Sequence, residues 1–174
     1  MKNLKGLAIL IALAVFCSVM LFSCGDDGEI NIDLQDLADV ILEKIDLPDY
    51  DTYTADKIQN EFGITADDTI QILVLKKIDM SNISNAEMIF LAEAKDPETA
   101  IEIETKLKTY KTYKIAEVAN YAKNPDNERQ WYIIDASEIL VRQQYVFLVM
   151  HGQHEEIKIN DTIKDYIKNN NKAK

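Results

Sequence analysis

Few residues of this chain could do chemistry. His151 and His154 stand in the run His151-Gly-Gln-His154, followed by Glu155 and Glu156. Two imidazoles and a carboxylate can hold a zinc ion with one position open. Yet this spacing falls at a strand-to-helix junction rather than on one helix face, and the chain has no third histidine. A polar turn that caps the last helix is the plainer reading, so neither a metal nor a cofactor is expected. Nucleophilic catalysis finds less support, for there is no G-x-S-x-G elbow to expose a serine. With 30 acidic residues, no carboxylate pair stands out as a general acid and base. Asp26-Asp27-Glu29 lacks the spacing of a calcium loop, and five glycines form no phosphate cradle. The aromatics Tyr110, Tyr113, Tyr121, Trp131 and Tyr132 fit either a ligand groove or a core edge. No catalytic residue is expected.

Cys24 is different, because of what surrounds it. Lys2 and Lys5 precede an apolar run, Leu7–Phe22, that falls short of the about 20 residues a membrane helix needs. Short positive and apolar regions in this order predict a signal peptide over residues 1–23. Leu21-Phe22-Ser23-Cys24 resembles the bacterial lipobox, although Phe22 is bulkier than usual. The resemblance implies a diacylglyceryl thioether on Cys24 and cleavage after Ser23. A thiol is a soft nucleophile suited to lipid transfer, and two acyl chains anchor stably where one binds only marginally. Cys17 lies within the apolar run and is lost with it.

Cleavage leaves residues 24–174, one ordinary domain with no cysteine free for an internal disulfide. It also removes two lysines from a chain already at a formal charge of −11. Phosphate backbones and anionic lipid headgroups repel such a chain, so no nucleic-acid partner is expected. Residues 24–31 read as the lipidated cysteine and an acidic tether. At about 3.3 Å per residue, Gly25 to Asn31 reaches roughly 23 Å, which keeps the domain near the bilayer.

The elements that would position any site follow from periodicity. Asn31 or Asp33 can cap a helix to Ile45, with Leu34, Leu37, Ala38, Ile41 and Leu42 on one face. A short helix is predicted over Ala55–Glu61, closed by Gly63. Thr69–Ile78 and Ala86–Ala94 read as strands of a hairpin. Asp96-Pro97-Glu98 starts a helix running to about Tyr121, and Asn124–Asn127 reads as a loop. Ser137–Val141 and Tyr145–Met150 make a second hairpin around Arg142-Gln143-Gln144. A last helix covers His154–Lys168, and residues 170–174 form a frayed tail. The order ααββαββα predicts an α+β domain over residues 32–169, an antiparallel sheet from two hairpins with helices packed on it. The strands are apolar on both faces, so both need covers. The later two helices supply one. The first helix, or a partner, supplies the other.

Phe62-Gly63-Ile64, the stretch AEMIFLAEAKDPETA from Ala86 to Ala100, and Asp135-Ala136 ahead of YVFLVM resemble the DUF4358 family. The resemblance spans Asp33 to Lys168 and implies a bacterial lipoprotein of unknown function, with no catalytic residues to carry over. A Gly-Asn turn usual in that family is Gln143-Gln144 here. The expected role is a non-catalytic binding or assembly factor, exported and held by Cys24 at the outer face of the cell membrane. In a Gram-negative host the outer membrane or cell surface takes its place. An envelope protein is the expected partner. A carboxylate-based envelope hydrolase and a small-solute-binding lipoprotein are the alternatives.

Overall fold

A computed structural model describes residues 29–45, 50–77, 85–120 and 125–172. Cys24, most of the tether, Tyr121 and the polar turn around Ser81-Asn82 lie outside them. The chain divides into two units, one of which is the compact body Ile32–Asn170. The described part of the other is an antiparallel pair, β1 (Glu29–Ile30) and β7 (Asn171–Lys172), with Glu29 opposite Lys172 and Ile30 opposite Asn171. The pair joins two residues of the stretch that reads as a tether to two of the stretch that reads as a tail. Each strand satisfies backbone groups of the other that would otherwise need water.

The body is α+β. Five strands hydrogen-bond in the order β2-β3-β4-β6-β5, every pair antiparallel: β2 (Tyr50–Thr52), β3 (Thr69–Lys77), β4 (Met88–Ala94), β5 (Ile139–Arg142) and β6 (Tyr145–Met150). The five described helices are α1 (Leu34–Ile45), α2 (Ala55–Phe62), α3 (Pro97–Asn120), α4 (Pro125–Ala136) and α5 (Gln153–Asn170). Both expected hairpins form. Two elements were not legible. α4 occupies what reads as the Asn124–Asn127 loop, because Pro125 sits at the first helical position, where a missing N–H does no harm. β2 is three residues long and too polar to show a period.

Every residue of β4 and β6 is buried. Side chains alternate between faces along a strand, so these two central strands feed two cores. One contains Met88, Phe90, Ala92, Val146, Leu148 and Met150, closed by Ile58 and Phe62 of α2, Ile103 and Leu107 of α3, and Ile133 and Ile134 of α4. Phe62 packs edge-on against Phe90 at 5.4 Å. The other face carries Ile89, Leu91, Tyr145, Phe147 and Val149, all fully buried. It is covered by α1, which touches β3, β4 and α5, and by α5, which touches β6. The two later helices therefore lie on opposite faces, a correction to the expectation that they share one. The first helix packs inside the domain: Leu37, Ala38 and Ile41 have no exposed surface.

Local signals place the helix ends. Asp33 caps α1, its carboxylate accepting from the N–H groups of Gln35 and Asp36 at 2.8 and 3.1 Å. Gly63 ends α2 at φ 66°, its N–H bonded to the Gln59 carbonyl. Gln143, where a Gly-Asn turn was missing, adopts φ 53°. The two-residue hairpin thus keeps a left-handed position without the residue type that favours it.

Candidate functional site

The register across the sheet builds a polar row at one end. Tyr50 lies opposite Lys77, and Lys77 donates its N–H to the Glu87 carbonyl at 3.2 Å. One step before the Met88–Met150 pair, Glu87 comes level with His151. The four side chains share the face that α1 and α5 cover. Glu87 is the inner anion. Its carboxylate takes Lys77 Nζ at 2.7 Å and Arg129 Nη2, from α4, at 3.0 Å. The outer members fold inward over this pair, with the rings of Tyr50 and His151 near parallel at 6.5 Å. Glu87 is left with 3% of its side chain exposed.

A clamp fixes the segment that carries Glu87. Lys76 Nζ donates to the Asn85 carbonyl, the Asn85 side chain accepts from the Glu87 N–H, and Gln130 Oε1 accepts from the Ala86 N–H at 2.7 Å. The ion pairs with Lys77 and Arg129 complete it.

His151 is 4% exposed. Its Nδ1 accepts from the Gly152 N–H at 2.9 Å and lies 3.8 Å from Glu155 Oε2. An accepting Nδ1 places the proton of the neutral ring on Nε2. That Nε2 and the Tyr50 hydroxyl are the buried side-chain polar atoms without a partner among the described residues. Both belong to this row. A second polar row, at the far end of the same face, shows the contrast. Gln71 and Gln144 donate to Glu93 at 3.1 and 3.2 Å, Gln71 Oε1 receives the Leu34 N–H, and the Tyr145 hydroxyl receives the Ile32 N–H. That row is satisfied and docks the start of α1. Buried polar groups are normally paired, so the unsatisfied row is the one that invites a function.

The row adjoins a cleft of about 590 Å³ between α4 and the start of α5. Glu128, Arg129, Tyr132, Ile133 and Ala136 form one wall, and His151, Gly152, Gln153 and Glu156 the other. Burial raises the Glu156 pKa above the usual carboxylate range; Glu138 adds to the rise and Lys111 opposes it. Burial also raises Tyr50, with Glu87 and Glu155 reinforcing it, so its hydroxyl keeps its proton.

His151 and His154 do not converge. His154 is exposed on α5 while His151 is buried in the row. The described residues contain no group of three or more His, Cys, Asp or Glu side chains arranged to hold a metal ion. At the polar turn expected before the last helix, His151 is a buried residue just past β6, and the Gly152 carbonyl accepts the Glu156 N–H at the start of α5. The aromatics divide. Tyr110 is buried and tilts against Phe62 at 4.6 Å, and Trp131 packs half-buried on the core. Tyr113 and Tyr132 are exposed, and of the four that are described only Tyr132 lines the cleft. Tyr50, Lys77, Glu87 and Arg129 were missed. Glu87 had a signal: with Glu93 it interrupts an otherwise apolar stretch, on one parity of the strand.

Burial holds the His151 pKa below its ordinary 6.5; Glu87 and Glu155 oppose the shift, and Lys77 and Arg129 add to it. Between the native and unfolded values the unfolded chain binds more protons, so stability rises with pH there. The contribution of the neutral ring is complete above about pH 6.5 and is lost as the pH falls through the native value. Urea unfolding at about pH 7.5 and about pH 5.5 should show a larger loss for the wild type than for His151→Gln. Equal losses would remove His151 as the titrating group.

A sequence model of the family described as "Domain of unknown function (DUF4358)" matches residues 43–151. The match contains every member of the unsatisfied row. No curated protein and no solved structure matches this chain.

Proposed function

This chain belongs to the DUF4358 family, a domain of unknown function, and from that premise we propose that it is an exported lipoprotein acting as a non-catalytic binding factor at the cell envelope. The observation that carries the binding role is the cleft beside the unsatisfied row. It lies within the range of ligand sites, about 300–1,000 Å³, and its α4 wall is tied to the sheet through Arg129 and Gln130. The place of action rests on Leu21-Phe22-Ser23-Cys24 and the apolar run before it. No helix among the described residues is long and apolar enough to cross a membrane. An envelope protein partner fits the same reading. The alternative, a carboxylate hydrolase, is favoured by one feature, the raised Glu156 carboxyl in the cleft, and would require turnover that falls with Glu156→Gln.

Fractionation tests the anchor. Wild-type protein should sediment with membranes. Cys24→Ala should leave the membrane or accumulate with residues 1–23 uncleaved. A Cys24→Ala protein processed and membrane-bound like the wild type would refute attachment through Cys24.

A further inference from the structure

We propose that the cleft between α4 and the start of α5 takes a neutral, hydroxyl-rich ligand, a sugar unit, stacked on the exposed ring of Tyr132. The inference rests on reading the domain as a binding module and names the class of ligand.

Charge excludes the obvious competitors. Arg129 already meets Glu87, which also holds Lys77. The other charged side chains lining the cleft are the carboxylates Glu128 and Glu156, with Glu155 beside Gly152, and Lys111 near Glu156 already donates to the Ser137 carbonyl. An anion entering here faces like charge locally and a chain at −11 overall. A bare metal ion lacks a grouped set of ligands among the described residues.

What the walls offer is mixed hydrogen bonding beside an apolar face. Arg129 leaves 65% of its side chain exposed and spends one nitrogen on Glu87, so further N–H donors remain. The Gln153 amide both donates and accepts, and the Glu128 carboxylate accepts. Hydroxyl groups do both and match such a wall. Tyr132 is 58% exposed and stands edge-to-face with Trp131 at 5.1 Å and 82°, which fixes its plane. With Ile133 and Ala136 it gives the cleft a rigid apolar side. The C–H face of a pyranose packs on such a ring while its equatorial hydroxyls reach the polar rim.

Trp131 is the only tryptophan in the chain, and its contact with Tyr132 makes its emission a reporter. The full-length protein in detergent would be titrated with the β-1,4-linked N-acetylglucosamine tetramer, with maltotetraose and with inorganic phosphate. At least one oligosaccharide should change Trp131 emission saturably. Calorimetry should show its affinity weakened tenfold or more in Tyr132→Ala, with an unchanged thermal midpoint because the ring is exposed. Saturation by phosphate alone would overturn the sugar assignment and leave the binding module standing. Oligosaccharide affinity unaltered by Tyr132→Ala would overturn the site. Silence from every probe would overturn the sugar assignment and remove the cleft as support for a binding role.

Discussion

Replacing Ile41 with aspartate should abolish cooperative unfolding of this protein near physiological conditions. Ile41 has no exposed surface and sits on α1 with Leu37 and Ala38, which are also fully buried. The helix lies against β3, β4 and α5. An aspartate there replaces the buried apolar side chain by a group that must either protonate or lie buried without a partner, a cost large beside a domain's typical stability of about 5–15 kcal/mol. The gentler Ile41→Ala should cost about 2–5 kcal/mol through lost burial and the cavity left behind. Urea unfolding of the full chain measures both. The opposite outcome has a clear meaning. Had α1 projected freely as a docking stripe, both variants would keep the wild-type midpoint and lose only association.

The double substitution Lys77→Met with Arg129→Met should destabilise the fold by about 3–5 kcal/mol, the usual penalty for stranding one member of a buried ion pair. The asymmetry within the trio decides which side matters. The side chains of Lys77 and Arg129 are 33% and 65% exposed, whereas that of Glu87 is 3% exposed. Water can look after the cations but not the carboxylate. Adding Glu87→Gln to the double variant should therefore restore part of the loss. A triple variant no more stable than the double would mean that the clamp around Asn85 and Ala86, rather than the charge, supports this end of the sheet.

These two expectations differ in how far the sequence could supply them. The α1 stripe, Leu34 to Ile41, is a local 3.6-residue period, and the two-faced apolar pattern of Met88–Ala94 and Tyr145–Met150 demands covers on both sides. The antiparallel α+β architecture is therefore readable from local pattern. The row of Tyr50, Lys77, Glu87 and His151 is not, because each member comes from a different strand or strand end. Only the β2-β3-β4-β6 order and its register make them neighbours. Which face each later helix takes is equally non-local: α3 and α5 carry similar apolar residues, and the choice is made by tertiary packing. Pro125 misleads for another reason. The same residue that breaks a helix interior is well placed at its first turn.

One difference between the two polar rows bears on function. Gln71, Glu93, Gln144 and Tyr145 are bonded to one another and to the start of α1, so that end of the sheet is architecture. The Tyr50–His151 end contains a carboxylate ion-paired with two cations, two unpaired polar atoms and an adjoining cleft.

The proposed attachment through Cys24 is tested most directly by the intact mass of the wild-type protein extracted from membranes. The mass should lack residues 1–23 and carry the added diacylglyceryl group on Cys24. A membrane-bound species that retains Met1 and shows no lipid mass would contradict the account.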